Sequence, residues 1–374
     1  TTGYARTGLG RRIALWLIRR MGAKTLGLGY AVAVADLLLA PFTASTTARS
    51  GGTIYPAIRT IPELYGSYPN DPSARKIGAY LLYTAAASTL ITASMFVTAL
   101  APNALVVSVM ASTAHVTVTW MDWFKGFAPV GLVLLAVVPY LIFRIYPPGI
   151  TEAPEAPRWA SEQLQAMGPI SRREITLLVL VVCALGVWIA GGAVVDPAIA
   201  AVIVVLAMVV TQVVTWDDII GNTDAWNVLI WFATLMTLAG GLGETKFVDW
   251  LAQSLAPHFA GRSVVVSIAL VVGAFYFLHY LFASLTAHAA AMLPILLALG
   301  SNMPGVAFEK LALLLGLTQG IMGVITPYAT GPAPVYANSG YITSGEFWRL
   351  GSVFGLIFLG ALLFLCAPIL LWFS

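Results

Sequence analysis

The chain has 374 residues, 59% hydrophobic and 9% charged, with a net charge of +3 and a mean hydropathy of +0.88. Soluble domains hold about 45–50% apolar and 25% charged residues, so a water-soluble fold is excluded, and the scattered basic residues lack the clustered face that nucleic-acid binding needs. Cys183 and Cys366 both fall in apolar runs, which implies neither a disulfide nor a metal framework.

In chain order, the first residues lack an initiator Met and the basic, apolar and small-residue layout of a signal peptide. They open on an amphipathic, Arg-rich stretch at 8–22. A first hairpin is predicted at 26–65, with arms at 26–42 and 53–65 around the tip Ser45-Thr46-Thr47-Ala48-Arg49. Its arms, near 15 residues, are too short to span the bilayer, so the hairpin reads as reentrant. A broken helix follows at 78–112, stopped at Thr98-Ala99-Leu100-Ala101-Pro102-Asn103, and then a helix at 128–146. Proline removes a backbone donor and clashes with the preceding turn, so the broken helix is expected to unwind there.

The polar, Pro-rich stretch 147–173 reads as a cytoplasmic linker. Beyond it come scaffold helices at 174–242, an amphipathic segment at 244–259 and a second hairpin at 262–301, whose tip is Ser284-Leu285-Thr286-Ala287-His288. A second broken helix is predicted at 307–341, interrupted from Thr326-Pro327 through Thr330 to Pro334, and a last helix at 350–372.

The two halves read as one motif used twice. At an offset of 238 to 239, Thr7, Leu9, Ile13 and Ala14 match Thr245, Phe247, Leu251 and Ala252, and the two tips follow in step. Residues 1–146 are the first repeat and 174–374 the second. The second copy has roughly 70 residues of spanning helices ahead of its match and the first almost none, so the chain is read as a fragment with about three helices missing upstream.

If the first hairpin enters from the cytoplasm, that side holds Arg6, Arg11, Arg12, Arg19, Arg20, Lys24, Arg59, Arg75, Lys76, Arg144, Arg158, Arg172, Arg173 and Arg349. The other side holds Lys125, Lys246, Arg262 and Lys310. The bias obeys the positive-inside rule and inverts the second repeat. The fold class expected is an all-α polytopic membrane protein: an inverted repeat with two reentrant helical hairpins and two broken transmembrane helices, working as an elevator-type transporter.

Paired interruptions of this kind mark substrate sites in secondary transporters. Helix N-termini at the tips present free N–H groups to an anion. The hydroxyls of Ser45, Thr46, Thr47, Thr98, Ser284, Thr286, Thr326 and Thr330 can donate to carboxylate oxygens. Pro102, Asn103 and Pro327 shape the breaks, and Arg49 and His288 add positive character; the alternatives are that Arg49 caps the carbonyls of the hairpin or snorkels and that His288 is a buried, neutral, hydrogen-bonded imidazole. Two facing hydroxyl-rich tips suit a ligand with an anionic group at each end, so a dicarboxylate fits better than phosphate or sulfate. Asp36 and Arg59 lie at similar depths on opposite arms and are expected to form an internal ion pair. His115 and His279 are read as structural, and Thr84, Ser88 and Thr92 as bonding back to their own helix. A channel would need rings of repeated charge, and an intramembrane enzyme a nucleophile or metal motif such as His-Glu-x-x-His. The sequence has neither.

The tips, the Thr98–Asn103 break, the run Ile325-Thr326-Pro327-Tyr328-Ala329-Thr330-Gly331-Pro332-Ala333-Pro334 and Ser339-Gly340-Tyr341 resemble the divalent anion:sodium symporter family. Within it they look most like the exchanger branch of plastid 2-oxoglutarate/malate translocators and bacterial citrate/succinate or tartrate/succinate antiporters. The resemblance implies a homodimer with a fixed scaffold domain and a moving transport domain. It places the chain in a bacterial inner membrane, ahead of a plastid inner envelope. Family members hold substrate carboxylates with Ser-Asn-Thr at each tip, which falls here on Ser45-Thr46-Thr47 and Ser284-Leu285-Thr286. Both central Asn residues are replaced, by Thr46 and Leu285. Losing side-chain oxygens beside Arg49 and His288 suggests that fixed cations do what bound sodium does elsewhere. Sodium is therefore disfavoured as a cofactor, and an unneutralised empty site would favour obligate exchange of C4–C6 di- or tricarboxylates over sodium-coupled symport.

Overall fold

A computed structural model of the chain describes residues 2–190, 197–255, 257 and 261–372. The end of the first scaffold run, parts of the amphipathic segment beyond 255 and the last two residues of the second repeat lie outside the described residues. Among the described residues the regular elements are helical, apart from one isolated bridge between Lys24 and Glu152.

The principal helices are α1 (Leu9–Met21), α2 (Thr25–Leu39), α3 (Gly78–Met95), α4 (Ala101–Ala114), α5 (Trp120–Ile145), α6 (Glu155–Ala166), α7 (Arg172–Ala190) and α8 (Pro197–Val210). They continue with α9 (Thr223–Glu244), α10 (Phe247–Leu255), α11 (Val264–Leu278), α12 (Leu285–Ser301), α13 (Phe308–Ile321) and α14 (Ser344–Ala361). Among the described residues five helical stretches are long and apolar enough to cross a membrane: Thr25–Phe42, Trp120–Ile145, Arg172–Ala190, Val264–Leu281 and Ser344–Leu371. Many large apolar side chains on α7 and α8 face outward, as hydrocarbon solvent allows and water would not.

Helix α3 is the hub. All 18 of its residues are buried, and α2, α5 and α13 pack around it. Its small residues let α13 come close: Ser94 Oγ accepts the N–H groups of both Gly320 and Ile321 at 3.0 Å. A Cβ at Gly320 would lie 2.5 Å from Ser94 N and 2.8 Å from the Leu90 carbonyl, so only glycine fits the crossing.

Several boundaries differ from the sequence reading, each for a local reason. The linker contains α6, which packs along α1. Helix α5 starts at Trp120 because Thr119 and Asp122 form a reciprocal capping box. Pro102 lies in the first turn of α4, where its missing N–H costs nothing; it starts a helix and does not break one. The second break begins earlier than expected, with a 3-10 turn at Met322–Val324. Helical backbone after the first tip also resumes earlier, as a π-helix over Thr47–Ile54 in which Thr53 Oγ1 bonds the Ala48 carbonyl at 3.3 Å.

The α3–α13 crossing gives a direct test. Gly320→Ala should force the two backbones apart at a cost of about 1–3 kcal/mol, seen as a lower thermal midpoint of the detergent-solubilised protein by size-exclusion chromatography. An unchanged midpoint would contradict the close approach.

Candidate functional site

The two tips are built alike down to single hydrogen bonds. In the first half, a 3-10 turn at Ala40–Phe42 ends α2, and Ser45 then caps the next helical segment. Its Oγ accepts the Ala48 N–H at 3.2 Å and its carbonyl the Arg49 N–H at 2.9 Å. In the second half, a 3-10 turn at His279–Leu281 ends α11. Ser284 Oγ accepts the Ala287 N–H at 3.3 Å, and the Ser284 carbonyl accepts the His288 N–H at 3.0 Å. One offset of 239 residues relates Ala40 to His279, Ser45 to Ser284 and Arg49 to His288. Each tip therefore ends in a serine-capped helix N-terminus, a geometry that favours anions.

Behind the first tip lies a buried guanidinium cage. Arg49 Nε faces Asp36 Oδ2 at 3.2 Å, and Nη1 donates to the carbonyls of Thr43 and Ala99, each at 2.9 Å. Nη2 reaches the carbonyl and hydroxyl of Thr89 at 3.4 Å and the hydroxyl of Thr92 at 3.3 Å. The Thr92 hydroxyl also donates to Asp36 Oδ2. Arg49 is 1% exposed, so its side chain points away from the open face of the tip.

This geometry corrects three readings. Asp36 pairs with Arg49 and not with Arg59, because both sit on the faces of their arms that turn toward α3. Thr92 serves that pair as well as bonding its own helix through the Thr89 carbonyl at 3.0 Å. The positive charge of Arg49 is compensated by Asp36, so an empty site does not carry it as a free cation.

The same offset of 239 carries Asp36 onto Phe275, and the second half repeats the arrangement with different chemistry. The His288 ring lies 4.4 Å from that of Phe275 and 5.3 Å from those of His279 and Phe282. Neither ring nitrogen reaches a hydrogen-bond partner of normal geometry. An ion pair behind the first tip is thus matched by an aromatic stack behind the second. The carbonyl of the second break is held instead by His279, whose Nε2 lies 3.1 Å from the Ala329 oxygen. A carbonyl only accepts, so Nε2 carries the proton. Gln319 Nε2 donates to the Leu285 carbonyl at 2.8 Å and steadies the tip backbone where a polar side chain is absent.

The second break joins the two tips. His279 grips Ala329, and two residues later Gly331 lies against Thr47: a Cβ there would sit 1.9 Å from Thr47 Oγ1. Ser50 Oγ and Tyr336 OH are 2.7 Å apart, tying the π-helical arm to the far end of the break. Helix α12 packs along α4, which follows the first break.

The predicted site residues divide by accessibility. Thr47 and Ser284 are exposed, and Ser45 and Thr286 half-buried, so each tip keeps two hydroxyls open to a ligand. Thr46, Thr326 and Thr330 are buried. Thr98 is occupied between the Pro41 carbonyl at 2.7 Å and the Trp120 indole at 3.2 Å. Asn103 caps α3 through the carbonyls of Ala93 at 2.8 Å and Phe96 at 3.1 Å. Pro327 is half-buried beside Thr326 in the second break. Sequence reasoning missed Asp36 as the partner of Arg49, and also Gln319, Tyr336 and Ser94. The signal for the first was their 13-residue spacing, which recurs between Phe275 and His288.

The family model described as the sodium:sulfate symporter transmembrane region matches residues 1–373. A citrate/succinate antiporter of Escherichia coli K12 is 47% identical over 368 residues, 98% of this chain and 76% of that protein. An L-tartrate/succinate antiporter of Shigella sonnei is 46% identical over 359 residues, 96% of this chain and 74% of that protein, and its Escherichia coli K12 counterpart matches equally. These relatives are transporters and not enzymes. With its two serine-capped tips, its helical membrane fold and a family match along almost its whole length, the chain belongs to the divalent anion:sodium symporter family.

Proposed function

We propose that the chain is a sodium-independent exchanger of C4–C6 di- and tricarboxylates in a bacterial inner membrane. The observation that carries this reading is the Arg49 cage. A guanidinium surrounded by the carbonyls of Thr43, Ala99 and Thr89 occupies the kind of oxygen-lined space in which a mobile cation would otherwise order the tip. A covalently fixed cation cannot leave with the substrate, so it organises the site without coupling transport to an ion gradient. The substrates in the names of the relatives, citrate, tartrate and succinate, share two or more carboxylates, which suits two tips with accessible hydroxyls.

On this reading one carboxylate accepts from Ser45, Thr47 and the N–H groups behind them, and another from Ser284 and Thr286. Arg49 and His288 are positioning residues that hold the tips from behind. Thr46, Thr98, Thr326, Thr330, Pro102, Asn103 and Pro327 shape the surrounding backbone. On this reading an empty site leaves N–H donors at both helix N-termini unpaired, which disfavours moving the empty domain through the bilayer; a bound dianion satisfies them. The constant 239-residue offset between matching tip hydrogen bonds supports an inverted repeat with reentrant hairpins, and the crossing of α3 with α13 is a natural axis for it. The reading includes an elevator movement and a homodimer.

Sodium-coupled symport is the second reading, and one observation favours it. The buried oxygens Gln319 Oε1, on the side chain that holds the second tip, and Thr326 Oγ1, in the second break, lack a hydrogen-bond partner and could serve a cation.

Counterflow in proteoliposomes tests the assignment. Labelled succinate uptake should be accelerated by internal citrate, tartrate or succinate and be equal in sodium and choline media. Sodium-dependent net uptake into vesicles without internal substrate would sink it in favour of symport. Thr47→Ala should raise the half-saturating substrate concentration about tenfold, the loss expected for a hydrogen bond to a charged group; an unchanged value would remove Thr47 from the site.

A further inference from the structure

Helix α1 and the linker form a cleft that the transport reading does not use. Helix α1 buries Leu9, Ala14, Leu15, Leu17 and Ile18 and turns Trp16, Arg19 and Arg20 outward, with Trp16 49% exposed. The Arg20 guanidinium stands 5.6 Å from the Trp16 ring. Beside them lies an open cleft of about 550 Å³ lined by Arg19, Ser161, Leu164, Gln165, Gly168 and Pro169, with no carboxylate in its lining. Glu174 pairs with Arg12 at 2.6 Å, and Glu162 lies 3.8 Å from Arg158.

The cleft has a built wall. Arg12 donates to the Gly168 carbonyl at 3.0 Å and to those of Met167 and Pro169 at 3.5 Å, pinning the 167–169 turn against α1. Arg11 bonds Gln163 of α6 at 2.8 Å. From Pro169 the chain runs through Ile170, 48% exposed, into α7, whose outward face carries Ile175, Leu178, Val179 and Val182. A cationic cleft with hydrogen-bonding side chains therefore stands at the head of an apolar, outward-facing helix. Trp16, exposed one helical turn before Arg20, is of the residue type that settles at bilayer interfaces.

We propose that this cleft is a binding site for the phosphodiester headgroup of an anionic phospholipid, with Arg19 and Arg20 facing the phosphate, Trp16 at the glycerol level and the acyl chains along α7. Charge complementarity selects the occupant. A zwitterionic lipid brings its own cation to a cleft without a carboxylate, whereas an anionic headgroup leaves the two arginines paired. Bilayer lipid supplies both the headgroup and the chains that the α7 face requires, which a soluble anion does not.

The probe is brominated phosphatidylglycerol against brominated phosphatidylcholine in nanodiscs of the full chain, read as quenching of the fluorescence that Trp16→Phe removes. The anionic lipid should quench at lower mole fraction. Arg19→Gln with Arg20→Gln should reduce that preference by roughly fivefold per arginine, while the variant elutes as a single symmetric peak. Inorganic phosphate at constant ionic strength should leave the preference intact. Equal quenching by the two lipids, or an undiminished preference in Arg19→Gln/Arg20→Gln, overturns the assignment. Displacement by inorganic phosphate also overturns it, by making the cleft a soluble-anion site.

Discussion

A helix interrupted inside a membrane must satisfy its freed carbonyls from within the protein, and the architecture around the first tip depends on one side chain that does so. The Arg49 guanidinium reaches the carbonyl that ends the first arm, at Thr43, the carbonyl of the first break, at Ala99, and the carbonyl of Thr89 on α3. Asp36 holds it in place. Tip, break and hub helix are thereby fixed to one another through a single planar group. A buried charge is tolerated only when paired and hydrogen-bonded, so Asp36 and the carbonyl ring are conditions of each other.

The second half repeats the 3-10 turn and the serine cap, continues as an α-helix where the first continues as a π-helix, and is held by other groups. His279 takes the break carbonyl, Gln319 takes the tip carbonyl, and His288 stacks on Phe275. The two halves thus share hydrogen-bond positions and differ in what stands behind them. On the proposed reading this asymmetry leaves the first tip permanently ordered. Substrate then meets one prearranged carboxylate site and one held by weaker contacts, which is compatible with guests of different length.

Much of the membrane architecture was legible in the sequence, since apolar run lengths and the paired Ser-x-x-x-cation strings depend on local pattern alone. From the sequence Ser45 and Ser284 read only as ligand donors; that each also caps its helix follows from a hydroxyl standing just before a helical run, a signal the sequence reading leaves unused. The partner of Arg49 was not, because counting depth along two arms assumes straight helices. The second arm instead resumes early as a π-helix, which rotates Arg49 inward toward Asp36 and α3. Pro102 misled in the opposite way: the residue is the same whether it stops a helix or starts one, and only the position of Asn103 beneath the end of α3 decides. The Gly320 crossing and the Thr47–Gly331 contact join residues more than 200 positions apart and leave no periodic trace.

The central claim is that Asp36 and Arg49 act as one unit in holding the first tip against the first break. A double-mutant cycle of Asp36→Asn and Arg49→Ala, read by succinate counterflow and by substrate-induced thermal stabilisation, tests it most directly. Leaving either charge buried and unpaired costs about 3–5 kcal/mol, so each single variant should lose exchange roughly 100-fold or more, and the double variant should be no worse than either. Additive losses, or a single variant with unimpaired exchange, would contradict the account.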